Sequence, residues 1–122
     1  MRLRITRLAM RIAARRKSTK KSRFRLAAVL ASGSTIHAFG VNEPRWDSFV
    51  PSSTHAEIAC LRNVYSAEGM DLYVARILAN EMPACSKPCP ECMKVIREKK
   101  VERVHYIDEN GHWQTMELIL KR

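Results

Sequence analysis

The chain has 122 residues, 46% of them hydrophobic, and four cysteines, which is the length of one domain, 1–122, and too short for two. It holds no run of about eighteen apolar residues, so no membrane span is expected, and its cysteines are too few and too unevenly placed for a secreted disulfide framework. A reducing, cytoplasmic setting follows. The net charge is +10, and all of the excess is N-terminal: residues 1–25 carry eleven Lys or Arg and no acid, whereas the remainder sets eleven basic against twelve acidic residues.

In chain order, Ile5, Leu8, Ala9 and Ile12 form an apolar stripe at helical spacing, predicting a helix from residue 6 to about 17 with Thr6 as its cap and arginines outward. Arg25 to Ala31 and Thr35 to Val41, joined at Ser32-Gly33-Ser34, read as a hairpin whose first strand is apolar on both faces and therefore central. Ser53 or Thr54 can cap a second helix that carries His55 and Glu57 in its first turn, packs through Ile58, Leu61 and Tyr65, and stops near Gly69. Leu72 to Leu78 is a continuous apolar run, expected as a buried strand.

Pro88 to Pro90 opens a third helix to about Lys100, with proline in its favoured first turn. Val101 to Ile107 and Trp113 to Leu120 follow as strands. The Asn110-Gly111 pair between them marks a tight turn and makes them antiparallel neighbours. The order α-β-β-α-β-α-β-β predicts an α/β fold: a three-layer α-β-α sandwich around one mixed sheet of about five strands, the last two antiparallel. Ile36, Phe39, Val74, Val104 and Leu118 are expected in the core, and His37, His105 and His112 at the surface.

Two short segments carry chemistry. His55-Ala56-Glu57 and Pro88-Cys89-Pro90-Glu91-Cys92 together spell H-x-E and P-C-x-x-C. One imidazole and two thiolates suit Zn²⁺, and three protein ligands leave a fourth tetrahedral position open, which is the mark of a catalytic site. A structural site would need a fourth ligand, and His105 and His112 stand at the wrong spacing. By spacing alone, Cys89, Cys92, Met93 and Ile96 also fit a buried helix face. Both ligand groups fall at expected helix N-termini, where the macrodipole favours thiolate over thiol. Cys60 and Cys85 read as free thiols, and Trp46 as a loop residue that anchors its loop or closes over a bound base.

This element order and the paired motifs resemble the cytidine deaminase superfamily over nearly the whole chain. Leu26 to Asn42, ending Gly40-Val41-Asn42, His55-Ala56-Glu57 and Ser86 to Cys92 are similar to its cytidine/deoxycytidylate deaminase branch. The resemblance implies a hydrolase that deaminates a base, with His55, Cys89 and Cys92 holding Zn²⁺ and Glu57 moving protons. It further implies that the Ala56 N–H contacts the base carbonyl, that the Ser86 carbonyl meets the leaving amine and that Asn42 hydrogen-bonds the sugar or base edge. Read without it, Asn42 is a turn residue before Glu43-Pro44.

The substrate stays open at this level. Lys87 stands where tRNA adenosine deaminases typically have Glu, and the final helix common in that branch has no counterpart. The leading expectation is conversion of cytosine to uracil in a nucleoside or nucleotide. The alternative is a polynucleotide deaminase that gathers single-stranded DNA or RNA through the basic residues 2–25. A catalytically inactive, zinc-stabilised nucleic-acid-binding protein is a third reading, against which Glu57 argues. The resemblance also suggests a homo-oligomer, dimer or tetramer.

Overall fold

Ile5, Ala9 and Ala13 recur every four residues and are buried, while the arginines between them lie in solvent, and this one-sided pattern forms helix α1 (Leu3–Arg15). The computed structural model describes residues 1–15, 24–45, 52–78, 80 and 82–118. Helix α1 starts three residues before Thr6, which is not a cap. Its hydroxyl donates to the Leu3 carbonyl at 2.7 Å from inside the first turn, and the Arg2 carbonyl receives the Ile5 and Thr6 N–H groups. The expected continuation to residue 17 lies outside the described residues.

Strands β1 (Phe24–Ser32) and β2 (Thr35–Val41) form the expected hairpin, turning through Gly33 at a φ of 59°. Next come a short ribbon, β3 (Glu43–Arg45) and β4 (Ser52–Thr54), then helix α2 (Ala56–Leu61), strand β5 (Asp71–Leu78), helix α3 (Pro90–Glu98) and strands β6 (Arg103–Ile107) and β7 (Trp113–Glu117). The main sheet has the order β2-β1-β5-β6-β7. Only β5 and β6 pair in parallel, with α3 between them in sequence, and the other pairs are antiparallel. Asp108 closes the last hairpin, its Oδ1 accepting the Asn110 and His112 N–H groups.

The sheet has a core on each face. Ala28, Leu30, Leu72, Val74 and Val104 pack with Ala56, Leu61, Cys92 and Ile96 of α2 and α3. On the opposite face, Val29, Ala31, Tyr73, Ala75 and Ile107 pack with Ile5 and Ala9 of α1. The alternation explains why the middle of β1 is apolar on both faces: with strands on both sides and helices on both faces, residues Ala27 to Ala31 have no exposed surface. The three layers and the mixed five-stranded sheet are those the sequence predicts.

Several local expectations fail, each for a tertiary reason. Helix α2 ends at Leu61, well short of Gly69. The following segment is instead held by the end of α3, where Lys99 Nζ donates to the Val64 carbonyl at 2.6 Å and the Ala67 N–H to the Lys99 carbonyl at 2.7 Å. Tyr65 consequently points into solvent. Neither Ser53 nor Thr54 is the cap, because both belong to β4 and His55 occupies the cap position.

Ile36 and Phe39, expected in the core, are 40% and 63% exposed because β2 is an edge strand. His105, expected at the surface, is fully buried on an inner strand. It bonds Asp71 Oδ2 and Thr115 Oγ1 at 2.8 Å each and lies 4.4 Å from the Tyr73 ring centroid. Val104 and Val74 are core residues as expected, and Leu118 packs against them from just outside β7. Val101 precedes β6 in an isolated bridge to Glu68.

Candidate active site

The residues expected to act together come from two helix starts. His55 is the cap residue of α2, with extended backbone at φ −69° and ψ 146°, and Glu57 follows in the first turn. Helix α2 lies close on β2 at Gly40. A Cβ there would stand 2.7 Å from the Ala56 carbonyl oxygen and would collide with the Cys60 nitrogen, so only glycine lets α2 sit at this depth. Cys89 caps α3 at φ −71° and ψ 166°, Pro90 occupies its first turn, and Cys92 is buried three residues on.

These elements bring His55, Cys89 and Cys92 together, with their ligand atoms all within 4.8 Å of one another. His55 Nδ1 is 3.7 Å from Cys89 Sγ and 3.1 Å from Cys92 Sγ. A tetrahedral zinc, with Zn–S about 2.3 Å and Zn–N about 2.1 Å, would separate nitrogen and sulfur by roughly 3.6 Å. The donor set and the spacing fit Zn²⁺. Burial first, and then the Glu57 carboxylate and Cys89, push the Cys92 thiol upward. Burial and Glu57 thus oppose the expected thiolate of Cys92, which a cation among the ligands would favour.

Glu57 is 3% exposed, and burial raises its pKa above the ordinary carboxylate value against the lowering effect of its own backbone N–H, the Cys92 thiol and His55. Its Oε1 has no hydrogen-bond partner among the described residues. A buried, unpartnered carboxylate oxygen is costly in a folded interior, and this one borders a cavity of about 290 Å³. His55, Cys89, Asn42 and Ser86 border it too.

Asn42 Oδ1 accepts the Leu26 N–H at 2.9 Å, which holds the carboxamide at the cavity wall. Ser86 bridges the middle of β5 and the end of β6. Its Oγ donates to the Val74 carbonyl and accepts the Ile107 N–H, both at 2.7 Å, and its own N–H bonds the Ile107 carbonyl. Ala56 is fully buried and follows His55 as the first residue of α2. Cys60 is a buried thiol, pushed up to about 12 chiefly by burial, and Cys85 is a free thiol on the cavity wall. Trp46 lies outside the described residues.

Sequence reasoning missed Leu26, Arg76 and Lys87 as cavity residues. Arg76 had a readable signal, being the lone charge inside the apolar run Leu72 to Leu78. Its Nη1 donates to the Cys85 carbonyl at 3.2 Å and so steadies the approach to Cys89.

Residues 2–108 match the family described as the cytidine and deoxycytidylate deaminase zinc-binding region. The chain belongs to this deaminase family. Among solved structures, the cytidine deaminase from Burkholderia pseudomallei is similar at a TM-score of 0.68 and 17% identity, over 96% of this chain and 93% of that one. The dCMP deaminase from cyanophage S-TIM5 in apo form is similar at 0.60 and 22%, over 89% and 86%. The same phage enzyme in complex with dCMP and dUMP scores 0.57 at 21%, over 89% and 85%. At these identities the likeness is one of deaminase fold. No curated protein matches the chain.

Proposed function

We propose that this deaminase is a zinc-dependent hydrolase that converts cytosine to uracil in a nucleoside or nucleotide and releases ammonia, within one domain spanning 1–122. The observation that carries the reading is Glu57: buried, with a carboxylate oxygen unpartnered among the described residues, at the edge of a cavity shared with His55 and Cys89. Zinc held by three protein ligands supplies a bound water whose pKa is lowered toward neutrality.

His55, Cys89 and Cys92 hold the metal. Glu57 takes a proton from the attacking water and delivers it to the ring nitrogen. The water oxygen bonds C4, the C4–N bond breaks, and the remaining proton goes to the departing amine, so that water and cytosine become uracil and ammonia. A carboxyl raised by burial suits both halves of this task, since it can hold a proton and return it. The Asn42 carboxamide contacts the sugar or base edge, the Ala56 N–H the base carbonyl and the Ser86 carbonyl the leaving amine.

The phage enzyme's complex with dCMP and dUMP supports a pyrimidine nucleotide as the substrate class. Homo-oligomer assembly belongs to the same reading, and Phe39, exposed on edge strand β2, supports it. Steady-state assays with cytidine, deoxycytidine and their monophosphates test the function. Ammonia release from at least one is expected; release from none overturns the reading.

A further inference from the structure

The catalytic cavity opens among residues of β1, β5 and the two zinc-ligand segments, whereas a row of arginines lies on α1. Arg4, Arg7, Arg11 and Arg15 follow one another on α1 at spacings of three, four and four residues, so their side chains fall within an arc of about 80° along about 16 Å of helix. All four are exposed, and none has an ion-pair partner among the described residues. The first turn of α1 contains no acid. Like charges at these spacings repel one another on an isolated helix, and an anion laid along the row relieves that repulsion.

Beside the row is a groove of about 470 Å³, lined by Arg7, Arg11, Met10, Ile77 and Trp113. Trp113, the first residue of β7, is partly exposed and packs against the α1-face core. Two guanidinium groups, an aromatic ring and an apolar floor form a combination that a bare polyanion does not need. Single-stranded nucleic acid uses both parts, setting phosphates on the cations and a base on the ring.

We infer that the groove between α1 and β7 docks a single-stranded polynucleotide, with Arg7 and Arg11 on consecutive phosphates and Trp113 stacked under a base. Ile77 lines this groove and Arg76 the catalytic cavity, from opposite faces of β5. The docking surface is thus separate from the deaminase cavity and holds whether the base that reacts is free or in a strand.

The test is fluorescence anisotropy with labelled single-stranded DNA and RNA oligonucleotides on the full chain, using heparin as a polyanion without bases. Binding should weaken steeply with salt. Arg7→Glu with Arg11→Glu should abolish it at moderate salt, and neutralising the two as Arg7→Gln with Arg11→Gln should reduce the salt slope by about 1.4, at about 0.7 per phosphate contact. Trp113→Leu keeps an apolar residue against Ile107 but offers no π-face. It should weaken oligonucleotide binding by roughly 5- to 150-fold and leave heparin binding unchanged, whereas Trp113→Phe restores most of the loss. Zinc content and thermal unfolding report whether each variant is folded, and turnover of a free nucleotide should persist in all of them. Preference for RNA or for DNA would name the strand within the proposal. Absence of binding at low salt, unchanged binding in the arginine variants, or equal losses for heparin and oligonucleotide in Trp113→Leu would overturn it.

Discussion

His55 Nδ1 stands 3.1 Å from Cys92 Sγ across 37 positions of sequence, at the point where the first turns of α2 and α3 meet. Cys89 Sγ lies 3.7 Å from the same nitrogen. Replacing Cys89 by Ser exchanges a soft anionic ligand for a hard neutral one, so zinc content and melting temperature should both fall. Metal analysis beside calorimetry checks this, and full zinc occupancy with an unaltered melting temperature would argue that the three residues do not hold the metal.

Glu57→Gln keeps the shape of the side chain and removes its ability to exchange a proton. Zinc content should stay at the wild-type level while turnover drops by about 10²- to 10⁴-fold, the usual contribution of a positioned acid–base group. Retained turnover in a zinc-loaded variant would remove Glu57 from the chemistry.

Gly40→Ala tests the seating of α2. The added methyl meets backbone atoms of Ala56, Ala59 and Cys60, which cannot rotate away. The expected cost is about 1–3 kcal/mol, together with weaker zinc binding, because α2 carries His55 and Glu57 with it. Denaturant unfolding and a zinc competition assay read the two effects separately; a stable variant with native zinc affinity would mean that α2 has room to move.

Ser86→Ala leaves the buried Ile107 N–H without the hydroxyl that receives it and the Val74 carbonyl without its donor. A loss of about 1–3 kcal/mol is expected from the unsatisfied groups. Ser86→Thr retains the hydroxyl and should recover part of the stability if the bonds rather than the cavity volume matter.

The His105 pair predicts the pH dependence of stability. Burial lowers the His105 pKa below its ordinary value of 6.5, opposed by Asp71, while the amino terminus and Arg103 add to the lowering; Thr115 and the Tyr73 ring complete its surroundings. Below pH 6.5 the unfolded chain therefore binds a proton that the folded chain resists. Stability should fall as the pH drops through the window between 6.5 and the lower folded value. Urea melts between neutral and mildly acid pH measure this, and His105→Gln should flatten the contribution. An unchanged slope in that variant would assign the acid sensitivity to other groups.

Much of this molecule was legible in the sequence because the signals were local. The stripe of Ile5 and Ala9, the mostly apolar run of β5 and the Asn110-Gly111 turn depend only on neighbours within a few residues, as does the placing of His55, Glu57, Cys89 and Cys92 at helix starts. The tertiary structure decided what depends on partners distant in sequence. Sheet order left β2 at an edge and exposed Phe39, whereas it enclosed His105 between β5 and β7. Lys99 and Val101 drew residues 64–68 away from the helix their pattern implied. The cavity itself, with Arg76 brought beside Asn42 and Lys87, exists only once β1, β5 and the segment before α3 are assembled. Residue types and short spacings thus determined the donor set, because metal ligation is a property of the side chains. Burial and pocket shape are properties of the packed assembly, and the fold alone determined them.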